Sequence, residues 1–369
     1  MNYIDYIIIV VYLLGFLGIG YFFKENKNSK DYFLGGQSMS WFPLSLSTMA
    51  TQLSAISFIS APAFVGLKQG GGLQWLTYEF GVPLAMAFLL IAIVPTLYNS
   101  GIVSVYEYLE KRFDASSRLL ISFVFQISRS VATGVMVYTM ALILQATVGI
   151  EFWISVLIIG IITMIYSFQG GMKAVIWGDV IQMCILFFGI VVCLIYGISE
   201  LGGFENFLTN VDKERLTAVD FSKWGFNNAD KNDEFGFWPM VIGGFFLYAS
   251  YYGTDQTQSQ RLLSAKGLPT IKKLLLANGL LRFPITLTYC IMGLVLGTLL
   301  IQDASFQALM DSVYQTNIGS LEGKKADLMV PVFIIKYLPN GIIGILIVAI
   351  MSAAMSSLSS ISSILRRFY

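Results

Sequence analysis

Apolar residues in this chain fall in long uninterrupted blocks, each closed by polar or glycine-rich punctuation. A helix crossing the ~30 Å hydrocarbon core of a bilayer needs roughly 20 apolar residues, and the chain offers about nine stretches of that kind. They run Tyr3–Phe23, Phe42–Leu67, Trp75–Tyr98, Leu119–Val148, Phe152–Phe168, Ile176–Ile198, Phe237–Tyr252, Leu274–Ile301 and Ile342–Leu365. In lipid every backbone polar group needs an internal partner, so blocks of this length predict helices, whereas a membrane barrel would show short segments of period two. The pattern predicts an all-α, multi-pass protein of the cell membrane, a single transmembrane domain over 1–369 with lipid around it.

Basic residues orient the spans. Lys24, Lys27 and Lys30, then Lys111, Arg112 and Arg118, then Lys173, then Arg261, Lys266, Lys272 and Lys273, and finally Arg366 and Arg367 fall on one side. The positive-inside rule makes that side cytoplasmic and places the N-terminus outside. The first span starts beside Asp5, with no basic leader and no small-residue cleavage site, and reads as a retained helix rather than a signal peptide. The mixed-charge loop Glu200–Glu234 falls outside, and Asp327–Tyr337 reads as a short amphipathic helix over the outer mouth, ending before Pro339.

Composition narrows the function. Residues are 56% hydrophobic and 12% charged, with 23 Lys+Arg against 22 Asp+Glu, so there is no basic footprint for nucleic acid. Histidine is absent, which removes the commonest general base, the commonest zinc ligand and the Ser-His and Cys-His nucleophile pairs. A non-enzyme is expected. No phosphate-binding Gly-x-x-x-x-Gly-Lys-Ser/Thr loop supports an ATP-driven pump, and no ring of filter residues supports a channel. Cys184, Cys193 and Cys290 all sit in apolar runs and read as buried free thiols.

Ionisable groups inside spans are costly and mark functional candidates. They are Glu79, Arg129, Asp179, Asp255 and Arg282. Arg129 lies about eleven residues from either end of its span, too deep to reach water easily, and needs an anion: a protein carboxylate such as Glu79, or the carboxylate of a solute. For Asp179 and Asp255, near cytoplasmic helix ends, a solvated helix end is the simpler reading. Two hydroxyl-rich stretches, Met49–Ser57 and Ala353–Ser360, offer the oxygens a hard cation needs, carbonyls freed at a helix break and facing hydroxyls. Close helix packing would use the same small residues.

The segments Asp31-Tyr32-Phe33-Leu34-Gly35-Gly36, Ala50–Ser57, Ser104–Phe113, Gly170–Gln182, Asp255-Gln256 and Gln260-Arg261, in this order and each at a span boundary, resemble the sodium/solute symporter family of sodium–glucose, proline and sialic-acid transporters nearly end to end. The resemblance implies a LeuT-type bundle of two inverted five-helix repeats, with one extra N-terminal helix over 1–25, a first repeat over 42–199 and a partial second repeat over 237–369. Family members continue for at least two more helices, so the second repeat is expected to be incomplete.

The same resemblance implies a principal sodium site from the carbonyls of Ala50, Leu53 and Ala353 and the hydroxyls of Ser356 and Ser357. It implies a second, less firmly matched, from Asp179, Ser356, Ser359 and Ser360. For solute it points to Gln52, Ser54, Ser57, Glu79, Arg129, Tyr251 and Arg282, with Arg129 as carboxylate clamp and Tyr251 as inner lid. Sodium is the coupling ion and no other cofactor is implied. The expected function is sodium-driven import of a small carboxylate such as sialate or a monocarboxylate. A sodium/sugar symporter and a non-transporting ligand sensor are the alternatives, and the oligomeric state stays open.

Overall fold

A computed structural model of the chain describes residues 1–24, 29–53, 56–226, 233–317 and 325–365. Among these the secondary structure is helical throughout. The first helix, α1 (Tyr3–Phe22), is followed by a span broken in two. Its halves, α2 (Trp41–Gln52) and α3 (Ala61–Gly66), meet through a wide turn at Ile56–Ser60, and the axes differ by 71° across the break. Leu53 leaves the helical conformation at φ −79°, ψ 75°, and Pro62 opens the second half, where its missing N–H costs nothing. Next come α4, a continuous stack over Leu73–Asn99, and α5 (Ala115–Val148).

The fifth and sixth blocks of the sequence form two helices that follow each other over Phe152–Glu200 (α6), 49 residues and long enough at ~1.5 Å per residue for two crossings. They separate at Gly171, whose φ of 58° and ψ of −153° only glycine adopts easily. A Cβ there would lie 2.7 Å from the Tyr32 carbonyl oxygen. The Tyr32 hydroxyl donates to the carbonyls of Ser167 and Phe168 at 3.3 and 3.1 Å, oxygens that the break leaves without helical donors. Two of the sequence motifs therefore explain each other: Asp31–Gly36 docks on the Gly170-Gly171 break.

Five further helices frame the site: α7 (Phe237–Gly253), α8 (Gln256–Leu263), α9 (Leu268–Gln302), α10 (Met329–Tyr337) and α11 (Ile342–Leu365). The core is centred on α11, buried over most of its length and packed along α6. By contrast α1 and α5 turn broad apolar faces outward, among them Ile7, Val11 and Leu14, then Leu119, Phe123 and Val131, as lipid-facing helices do. Asp5 ties α1 to α11. One of its oxygens accepts the N–H groups of Gly341 and Gly344 at 2.7 and 2.9 Å, and the other caps its own helix through Asn2. Further along, the Tyr12 hydroxyl meets Ser352 Oγ at 2.7 Å.

Two expectations are corrected here. Cys184 is exposed, because an apolar helix in lipid buries only one side; Cys193 and Cys290 are buried. The segment read as an amphipathic surface helix is α10, and Met329–Ile334 are buried in the core rather than lying on a surface, because the segment's apolar residues cover all sides of its first turns.

Candidate functional site

The break between α2 and α3 organises the site. The last carbonyls of a helix have no intrahelical donor, and at the end of α2 Ala50 and Leu53 line a narrow cleft with Ser352, Ala353 and Ser356 of α11 and Gln182 of α6. All of these are buried. Ser357 Oγ, also buried, has no hydrogen-bond partner among the described residues. The five residues expected to hold the principal sodium thus come from the end of α2 and one stretch of α11, and four of them line one cleft. Among the described residues there is no cluster of three or more carboxylate, thiol or imidazole groups that could hold a metal ion. Gln182, the last residue of the Gly170–Gln182 motif, adds a buried amide to this lining, in reach of the Tyr12 and Tyr166 hydroxyls. The sequence signal for it was its spacing, one turn after Asp179 on the same helix face.

Behind the cleft lies a charged node. Asp179 Oδ2 accepts from Ser47 Oγ and from Arg261 Nη2, both at 2.6 Å, and Oδ1 accepts from Ser356 Oγ at 2.8 Å. Ser356 thus gives its proton to Asp179 while lining the cleft. Arg261 also donates from Nε to Ser47 Oγ at 2.7 Å and from Nη1 to the Thr257 carbonyl at 2.5 Å. This corrects the solvated-end reading of Asp179, which is fully buried, and removes Arg261, only 1% exposed, from the cytoplasmic loop cations.

The reason is α8, whose Gln-Thr-Gln-Ser-Gln-Arg sequence is polar yet wholly buried. Each glutamine bonds the backbone of another segment: Gln256 accepts from Val105 N–H at 3.0 Å, Gln258 donates to Thr48 O at 3.3 Å, and Gln260 donates to Phe33 O at 2.7 Å. Of the other two serines expected at a second ion site, Ser359 donates to the Ser356 carbonyl at 3.0 Å, and the Ser360 side chain lies outside the described residues.

A second buried pair sits beside the break. Arg282 Nε lies 3.0 and 3.2 Å from the two oxygens of Glu79, which also accepts from Thr286 Oγ1 at 2.9 Å. The other edges of the guanidinium reach the Gln52 side-chain oxygen and the Tyr78 hydroxyl, the latter at 3.3 Å. Its carbon stands 4.7 Å from the Tyr248 ring centroid, and Tyr78 and Tyr248 stack on each other. Such a face favours a cation above it. Trp75, Tyr78, Met240 and Leu247 line an open cavity alongside.

Arg129 belongs elsewhere. Its partner is Asp255, not Glu79, and its guanidinium lies 5.2 Å from the Tyr251 ring centroid. Asp255 is not a solvated end either: it pairs with Arg129 and caps α8 by accepting from Thr257 N–H at 2.8 Å. The residues expected to touch solute therefore divide into Gln52, Glu79 and Arg282 on one hand and Arg129 with Tyr251 on the other. Ser57 is half-buried beyond the break, and Ser54 lies outside the described residues.

Comparison with known proteins bears on this geometry. The chain is 34% identical over 267 residues to sodium-coupled monocarboxylate transporter 2 of Mus musculus, covering 71% of this chain and 42% of the relative. It is 32% identical over 297 residues to the sodium/iodide cotransporter of Homo sapiens, covering 79% and 45%. The chain thus spans less than half the length of these curated relatives. A solved substrate-bound, outward-open structure of a Na+-coupled sialic acid symporter superposes with a TM-score of 0.84 at 27% identity, covering 98% of this chain and 72% of that one. This match bears out the LeuT-like helical fold, and the apolar spans make the chain a multi-pass membrane protein. The model of the sodium:solute symporter family matches residues 32–365, and with the relatives it shows that this chain belongs to that family.

Proposed function

We propose that this chain forms the ion and solute sites of a sodium-coupled importer of small monocarboxylates, working by alternating access. One observation carries the reading. Ala50 and Leu53, at the end of α2, line the narrow cleft against α11, while Gln52 between them reaches the Arg282 guanidinium, so the residues read for the cation and those read for the anion share one helix break. Sodium held by Ala50, Leu53, Ala353, Ser356 and Ser357 fastens α2 to α11, and that order at the break improves the placement of Gln52 and Arg282 for a carboxylate. Linkage makes the effect reciprocal, commonly about 1–3 kcal/mol. The names of the relatives support a small anion and sodium coupling. Members of the family are transporters, in keeping with a chain that lacks histidine.

Within this reading Arg282, with two edges turned to neutral partners, is the first anchor for the solute, and Arg129 over Tyr251 is a second station toward the α8 end. A second sodium at Asp179 with Ser356, Ser359 and Ser360 requires Arg261 to withdraw. A neutral sugar is the second reading, favoured by Glu79, which already neutralises Arg282. Uptake of labelled lactate, sialate, hexose and proline into proteoliposomes, with and without an inward sodium gradient, separates the two. Sodium-driven accumulation of a monocarboxylate supports the proposal, and accumulation of hexose alone overturns it.

A further inference from the structure

We infer that Arg261 is a tethered cation that competes with sodium for Asp179, and that this exchange is how the ion site is linked to the buried polar helix α8. The inference rests on the sodium reading above. Both oxygens of Asp179 are engaged, Oδ2 by Arg261 and Ser47 and Oδ1 by Ser356. A carboxylate this deeply buried needs a compensating positive charge at every stage, since an uncompensated buried ion costs several kcal/mol. Sodium can use Asp179 only by taking over the compensation that Arg261 supplies.

The geometry ties such a swap to the surrounding helices. Arg261 is held on three separate elements at once: Ser47 on α2, Asp179 on α6 and the Thr257 carbonyl on its own α8. The planar fork of a guanidinium can span such partners where an ammonium could not. Ser356 touches both sites, lining the sodium cleft and donating to Asp179. A sodium leaving the cleft past Ser356 therefore meets Asp179 next. When it binds there, Arg261 gives up Asp179 and Ser47, and α8 loses its tie to α2 and α6. When sodium departs, Arg261 returns and α8 is tied down again. The carboxylate stays compensated throughout, and the ion's exit is coupled to release of α8.

The test measures binding of radioactive sodium to the purified full chain and to variants. Removing the competitor in Arg261→Gln should tighten sodium binding at least tenfold and add a second bound ion. The double variant Asp179→Asn/Arg261→Gln, with neither charge, should lose both the second ion and the tightening. A merely structural Arg261 would give weaker or unchanged binding in Arg261→Gln, which overturns the inference. If that variant does not fold, Arg261→Lys decides, because lysine makes fewer of the three bonds and is displaced more easily: sodium binding several-fold tighter than wild type supports the swap, and equal binding overturns it. Failure of the underlying reading looks different, since Ser357→Ala would then bind sodium as well as wild type does.

Discussion

Two buried guanidinium–carboxylate pairs, Arg282–Glu79 and Arg261–Asp179, resemble each other in burial, with side chains 7% and 0% exposed in the first and 1% and 0% in the second. They differ in how the guanidinium edges are spent. Arg261 meets a carboxylate, a serine and a backbone carbonyl on three elements, so its bonds fix helices to one another. Arg282 meets its carboxylate along one edge only and turns the others to a phenol and an amide beside an aromatic cavity. A neutral partner is far easier for an incoming anion to displace than a carboxylate. Burial alone would not separate a binding arginine from a fastening one, whereas the chemistry of the remaining partners would.

The largest effect is expected where the two pairs differ most. Arg282→Ala should lower the kcat/KM for carboxylate uptake by more than about a hundredfold and, by stranding Glu79, cost about 3–5 kcal/mol of stability. The double variant Glu79→Gln/Arg282→Gln should regain much of the stability and none of the anion uptake. Recovery of uptake would show that Arg282 is a fastening residue as well. Thermal unfolding and proteoliposome uptake read the two quantities.

Ser357→Ala sharpens the sodium side. Its hydroxyl makes no protein hydrogen bond among the described residues, so stability should change by less than about 0.5 kcal/mol. The sodium concentration for half-activation should still rise roughly 5–30-fold, the value of one lost oxygen ligand at about 1–2 kcal/mol. Gly344→Ala should act on the same side through α11: its Cβ would stand 2.7 Å from the Asp5 Cα, forcing α1 and α11 apart at a cost of about 1–3 kcal/mol. Sodium half-activation should shift while solute KM at saturating sodium holds; the reverse pattern would place α11 on the solute side.

Smaller still, Arg129→Gln removes a pair whose side chains are 21% and 11% exposed, and should cost about 1 kcal/mol and change solute KM less than about tenfold. Complete loss of uptake at unchanged thermal stability would move the carboxylate to Arg129. The smallest effect concerns the outer end of α9, the helix that carries Arg282. There Asp303 accepts from Ser305, Tyr337 and Lys336, which hold its carboxyl well below the usual range. A lowered folded-state value means that its stabilisation is complete above the unfolded value of roughly 4 and fades as pH falls through the folded value. Unfolding of wild type and Asp303→Asn compared across that acid range should show the difference shrinking as pH drops.

How much of this was legible beforehand depends on distance along the chain. Apolar blocks gave the helices, because membrane thickness fixes their length whatever they pack against. The two stretches that line the cleft were legible as hydroxyl-rich segments, but Ala50, Leu53, Ala353 and Ser356 were singled out within them only by the family resemblance, because small residues and serines serve close helix packing equally well. The ion pairs were not. Arg282 and Glu79 are 203 residues apart, and Arg129 could have taken either acid, so the choice rested on helix rotations that no single stretch encodes. Asp179 looked solvated because its position near a helix end was visible, while the polar helix covering it lay 77 positions on and resembled a loop. Cys184 failed for a simpler reason: in lipid an outward-facing thiol and an inward one have equally apolar neighbours.

The first helix is not a spectator. Asp5 joins the N-terminal ends of α1 and α11, and Tyr12 reaches Ser352 beside the ion cleft. The first dozen residues thereby splint α11 from outside, so a disturbance of α1, by a fusion at its start or by the lipid around it, should reach the Ala353–Ser357 stretch proposed for sodium and be read as a shift in sodium half-activation.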